Sequence, residues 1–255
     1  MIGSLFVDDS DLAAGKLNGA EINIAQVNHD LQTSIEWWEG CLKFTGAVIR
    51  PDKSFVYIIN FLFKANGEFR FVPASQSETE FQVRDEFDAH HNLRIIDSSK
   101  GMDTLGVVIA PDGNSNDQIE AFTKKVLKWT GALRVHSLPK DELFASVSST
   151  IMKTLEYPEG STTLTESECN KLVKPMFDLV LPRCGMCRQL PLALKYGPRD
   201  AMELGFKNLF LTQGVSKIVM FLEEREANSL SKPLINATFE AALMNVGVGG
   251  NIYLV

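Results

Sequence analysis

The chain opens Met1-Ile2-Gly3-Ser4-Leu5-Phe6-Val7-Asp8-Asp9-Ser10-Asp11-Leu12-Ala13-Ala14. An apolar run meets Asp8-Asp9-Ser10-Asp11, and apolar character resumes at Leu12, which predicts a tight β-hairpin with its acids at the bend. Two adjacent carboxylates at such a bend repel each other at short range. A divalent cation relieves that cost, and hard carboxylate oxygens suit Mg²⁺. Aspartates are also common in ordinary surface turns, so the order of the elements that follow gives the pair its meaning.

Leu31, Ile35, Trp38 and Leu42 recur at helical spacing, with Trp37, Cys41 and Phe44 widening the stripe. Asn28 is the expected N-cap and Gly46 the expected stop. Residues 55–63 read as one strand, Asn66-Gly67 as a two-residue hairpin turn, and residues 69–72 as the returning partner. Residues 73–102 are polar and weakly periodic and read as a loop or insertion. Residues 105–109 read as a further strand, closed by Pro111-Asp112-Gly113.

Beyond this point the pattern turns helical. Ser115-x-x-Gln118 has the form of a capping box, and Ile119, Phe122, Val126 and Trp129 make one apolar face. Ser137 and Pro139 open a second helix carrying Leu143, Val147, Ile151 and Leu155, which Tyr157-Pro158 ends. Thr165-x-x-Glu168 opens a third, with Leu172, Val173 and Met176 inward and a kink expected at Pro175. Helices are also expected near 215–222 and 234–245, followed by a glycine-rich break at 247–250 and a short terminal strand. The three tryptophans are assigned to core faces. The expected class is α+β, with residues 1–113 mixed and residues 114–255 helical.

The 255 residues are 45% hydrophobic and 22% charged, enough to bury a sizeable core. No apolar run approaches ~20 residues, so no membrane span is expected. No basic segment precedes the short apolar start, so no signal peptide is expected. Cys41, Cys169, Cys184 and Cys187 are too unevenly spread for a disulfide framework, which points to a reducing, intracellular setting in cytoplasm or nucleus. The net charge of −7 argues against nucleic acid as a partner of the whole surface. The bases cluster, however: Lys124, Lys125, Lys128, Arg134 and Lys140, then Lys171, Lys174, Arg183, Arg188, Lys195, Arg199 and Lys207. A basic run is also what an ordinary solvated face looks like.

Phe6-Val7-Asp8-Asp9 resembles the Tyr/Phe-x-Asp-Asp motif C of reverse transcriptases. The segment Thr45-Gly46-Ala47-Val48-Ile49-Arg50-Pro51-Asp52-Lys53-Ser54, after an amphipathic helix, is similar to motif D. Thr104-Leu105-Gly106-Val107-Val108-Ile109 resembles the Leu-Gly-x-x-Ile hairpin of motif E. The helical part, from Val126-Leu127-Lys128-Trp129 onward, resembles the thumb of retroelement polymerases, especially non-LTR ones. Trp37-Trp38-Glu39-Gly40, Leu194-Lys195-Tyr196-Gly197-Pro198 and residues 245–252 resemble retrotransposon-derived proteins of algae and other protists.

The resemblance implies an RNA-directed DNA polymerase with Mg²⁺ as cofactor and an RNA template and DNA primer as partners. In it Asp8 and Asp9 would be catalytic metal ligands, and Lys53 a catalytic cation near the departing pyrophosphate. Leu105 and Gly106 would support the primer terminus, and Lys124, Lys125 and Lys128 would track the nucleic-acid backbone. The chain departs from the family at its start. Fingers and motifs A and B have no counterpart, so the motif A carboxylate is missing and Asp11 lies on the outgoing arm of the same turn. The expectation is a C-terminal part of such an enzyme, inactive alone.

Two rivals stand beside it. Asp9-Ser10-Asp11 has the Asp-x-Asp spacing of a haloacid-dehalogenase-type phosphatase, but Leu12-Ala13 stand where Gly-Thr or Thr/Val belongs. A non-catalytic helical interaction or nucleic-acid-binding relic is the other. Cys184-Gly185-Met186-Cys187 has C-x-x-C form, with only Cys169 near in sequence to complete a zinc site, so ordinary thiols are the expected reading.

Overall fold

A computed structural model describes residues 2–6, 9–14, 23–76, 79–227, 229 and 231–247. The chain forms two compact units, Met1–Leu105 with Ala110–Asn114 and Gly106–Ile109 with Ser115–Val255. The class is α+β: largely helical, with small separate strand pairs.

In the first unit β1 (Ile2–Phe6) and β2 (Asp9–Ala13) form an antiparallel hairpin in which Phe6 faces Asp9. Helix α1 spans Ile24–Thr45 and starts one turn earlier than the sequence suggests. Asn23 is its cap, its Oδ1 accepting from the Ala25 N–H at 3.0 Å. Asn28, the expected cap, instead donates to Thr79 Oγ1 at 2.7 Å. Gly46 ends the helix with φ +80°, a left-handed conformation that glycine adopts without steric cost. Along α1 only Ile35 and Glu39 are buried. Trp37 and Phe44 are 71% and 93% exposed, so neither belongs to the core face assigned to it.

The expected strand 55–63 divides into β3 (Phe55–Tyr57) and β4 (Phe61–Phe63), because its halves find different partners. Strand β4 pairs antiparallel with β5 (Phe69–Phe71). Their connection is a three-residue loop rather than the expected two. The Lys64 N–H donates to the Glu68 carbonyl at 2.7 Å, and Gly67 has φ +87° while Asn66 keeps a negative φ. The segment read as a loop holds β6 (Gln82–Arg84), β7 (His90–Asn92), β8 (Arg94–Ile96) and β9 (Met102–Thr104). Strand β3 pairs in parallel with β8, and β6 antiparallel with β7. Phe81 and Val83 from this segment are 1% and 2% exposed and form the core with Ile35, Val56 and Leu93.

The second unit opens with β10 (Val107–Ile109) and α2 (Asn116–Val135). The capping box expected at Ser115 and Gln118 is absent. Gln118 is 1% exposed and its Oε1 accepts from the Val108 N–H at 2.5 Å, while Ser115 Oγ accepts from the Thr163 N–H at 3.1 Å. Helix α3 (Lys140–Ser146) runs through a π turn (Val147–Ile151) into α4 (Met152–Glu156). The Ser148 and Ser149 hydroxyls donate to the carbonyls of Phe144 and Ala145 at 2.9 and 2.6 Å there, competing with the regular ladder. Leu143, Val147, Ile151 and Leu155 are all buried.

Helix α5 (Glu166–Arg183) carries a complete capping box between Thr165 and Glu168 and continues through Pro175. Short α6 (Leu192–Tyr196) follows, then α7 (Leu209–Glu226) and α8 (Lys232–Val246). Helices α2 and α5 pack against each other, and Phe122, Val126, Leu143, Val147, Met176, Phe177 and Val180 are among the buried residues of the core. The terminal strand expected after the glycines lies outside the described residues.

Candidate metal turn and nucleic-acid surface

Asp9 stands at the closed end of the β1–β2 hairpin, as the first residue of β2. Asp8, the other expected metal ligand, lies outside the described residues, as does Val7. Helix α1 packs against β2 and against β6, and Leu12 joins the core that Ile35 anchors. Glu39, 4% exposed, fixes α1 to β6: its carboxylate accepts from the backbone N–H of Arg84 and from Arg84 Nε at 3.1 Å. Among the described residues, β1 and β2 pair only with each other. No group of three His, Cys, Asp or Glu side chains among the described residues is placed to hold a metal ion. A two-metal site draws its carboxylates from neighbouring strands, and Asp8 lies outside the described residues that bear on it.

Lys53 sits exposed in the turn that leads into β3, its N–H donating to the Arg50 carbonyl at 3.1 Å. Beside it Arg50 Nε meets Asp52 Oδ1 at 3.0 Å, and that hydrogen bond holds the Asp52 carboxyl below its ordinary range. Because β3 pairs with β8, Lys53 is anchored on that pair rather than on the acidic hairpin. Leu105 and Gly106 do not belong to a strand as expected. Both have positive φ, +54° and +80°, and form a turn, so the strand begins at Val107. Leu105 is 41% exposed at that turn, a conformation that costs a branched residue strain which Gly106 avoids.

Lys124, Lys125 and Lys128 are all exposed on α2, Lys124 and Lys128 opposite Phe122, Val126 and Leu133 and Lys125 at the flank of that buried face. Lys124 Nζ is paired with Glu120 Oε1 at 2.6 Å one turn earlier. A shallow groove along α5, lined by Glu166, Ser167, Asn170, Lys171 and Lys174, adds two further bases. Residues 115–255 hold 16 Lys and Arg against 15 Asp and Glu, whereas residues 1–114 hold 9 against 17. The acidity of the chain therefore lies in its first part.

One cluster was not anticipated from sequence. Glu159, 6% exposed, accepts from Thr212 Oγ1 at 2.7 Å. Burial pushes its carboxyl up to about 7, and the neighbouring Glu156 charge adds to the rise. Glu156 Oε2 accepts from both Lys153 Nζ and Lys207 Nζ at 2.9 Å. Lys207 and Thr212 lie about fifty residues downstream of the two acids, so spacing alone carried no signal beyond Lys153 and two acids flanking Tyr157-Pro158.

Cys184-Gly185-Met186-Cys187 is helix punctuation. Gly185 has φ +80°, its N–H donates to the Pro182 carbonyl at 2.9 Å, and the Met186 N–H donates to the Leu181 carbonyl at 2.9 Å. Cys169 is buried in the core, where loss of hydration pushes its thiol up to about 11. No helix among the described residues is long and apolar enough to cross a membrane.

No family model matches the chain, and no curated protein or solved structure matches it.

Proposed function

We propose that the chain is the palm-to-thumb part of a retroelement reverse transcriptase, acting by holding an RNA–DNA primer–template. The observation that carries this reading is the order of elements. An antiparallel hairpin with Asp9 at its closed end is followed by α1 packed on β2, a Lys53-led strand, short hairpins, and a helical unit with Lys124, Lys125 and Lys128 exposed on α2. In this reading Asp8 and Asp9 belong to a Mg²⁺ site whose remaining carboxylate comes from a strand beside β1. The chain alone then binds duplex without extending it. The placements of Lys53 on the β3–β8 pair and of Leu105 in a turn limit what those residues contribute, and the lysines of α2 carry the contact with phosphate.

Mg²⁺-dependent primer extension with the purified chain tests the division between binding and chemistry. Retention of a labelled hybrid without templated incorporation is the expected result. Incorporation that disappears in Asp8→Ala and Asp9→Ala variants would contradict it.

The phosphatase reading lacks support, since it needs a parallel sheet interleaved with helices. The described residues contain one parallel pair of three-residue strands. A helical interaction module is the second reading, favoured by the exposed apolar side of α7.

A further inference from the structure

Leu211, Val215, Ile218 and Leu222 of α7 are 63%, 61%, 54% and 41% exposed. Their 4-3-4 spacing places them in one stripe along the helix, the seam by which one helix packs against another. The chain uses other sides of α7. Leu209 and Gln213 are buried, with Gln213 exchanging hydrogen bonds of 2.9 and 3.0 Å with the Leu164 backbone. Lys217 Nζ donates to Thr163 Oγ1 at 2.6 Å, and Phe221 stacks at 4.9 Å on Phe239 of α8. The stripe is left over after these contacts, and its spacing suits a helix.

We propose that the occupant is α7 of a second copy of this chain, packed antiparallel about a two-fold axis. The stripe is symmetric about the point between Ser216 and Lys217 in spacing and in residue type: leucine, β-branched, β-branched, leucine. A two-fold axis at that point sets Leu211 against Leu222 of the other copy and Val215 against Ile218, as an isologous interface requires. The same spacing continues to Asn208 before and Arg225 after, so the apolar stretch also ends symmetrically.

Charge selects the antiparallel sense. The first turn of α7 has no acid, whereas its C-terminal end carries Glu223, Glu224 and Glu226. Parallel pairing stacks two acidic ends. Antiparallel pairing brings each to the partner's N-terminal end, which carries no acid and is the positive end of the helix dipole. With Val219, 45% exposed, the stripe offers about 400 Å² of apolar surface per copy, the size of the largest patch on an ordinary monomer, which is often functional. Doubled, it comes to about 800 Å², less than a standard specific interface, so the dimer is a weak one.

Sedimentation velocity on the full chain over roughly 1 to 200 µM tests this. A monomer–dimer equilibrium is expected in that range. Val215→Asp and Ile218→Asp each abolish it, with circular dichroism unchanged because both side chains are mostly exposed. Mixing Leu211→Cys with Leu222→Cys, in a Cys187→Ser background, is expected to give the mixed disulfide, with little cross-link from either variant alone. A monomer throughout, larger open assemblies, or cross-linking of Leu211→Cys to itself would overturn the proposal. So would a dimer that forms only after residues 248–255 are removed, since those residues would then be the occupant. None of these outcomes depends on nucleic acid, so failure here leaves the polymerase reading standing.

Discussion

Glu159 shows how one side chain carries a pH dependence. It binds its proton more tightly in the folded chain than unfolded, because burial disfavours the carboxylate. A carboxyl whose folded value is raised costs stability as it ionises. The loss begins above its ordinary 4.5, grows up to about 7, and is constant beyond. From the size of the rise, the penalty at neutral pH is about 3 kcal/mol. Glu159→Gln keeps an acceptor for Thr212 and removes the charge. Urea unfolding at pH 4.5 and pH 8 should therefore show the variant gaining on the parent as pH rises. A stability difference unchanged with pH would contradict the assignment.

Individual elements divide by how local their causes are. The capping box at Thr165 and Glu168 was legible because both partners lie within four residues, and its hydrogen bonds are present. The same pattern at Ser115 and Gln118 misled, because Gln118 is drawn to the Val108 N–H and Ser115 to Thr163. Gly46 was legible as a stop for the same local reason as Thr165. Strands β6 to β9 were not, since three-residue strands among polar neighbours have no periodicity to read, and Phe81 and Val83 became core through contacts with α1 and β3. The acidic hairpin was legible as a hairpin. The Glu156–Glu159 cluster was hidden by its distant partners. Thr165→Ala is expected to lower stability by about 1 kcal/mol. Gly185→Ala, at φ +80°, should cost about as much by straining the end of α5. Thermal melts of both variants check this, and an unchanged midpoint for Gly185→Ala would contradict the punctuation reading of Cys184 to Cys187.

At the scale of the whole molecule, charge is the organising feature. An acidic first part precedes a nearly neutral second part whose α2 presents Lys124, Lys125 and Lys128 outward. Net charge alone argues against nucleic acid, but affinity for a duplex depends on the bases that reach phosphate rather than on the sum over the chain. The most direct measurement is the salt dependence of binding to a labelled RNA–DNA hybrid, for the parent chain and for the Lys124→Ala, Lys125→Ala, Lys128→Ala triple variant. Each lysine on phosphate contributes about one unit to the slope of log affinity against log salt. Binding by the parent at low salt is expected, weakened about tenfold in the triple variant, with a slope shallower by roughly two to three. No binding at low salt, or equal affinity and slope for the two proteins, would contradict it.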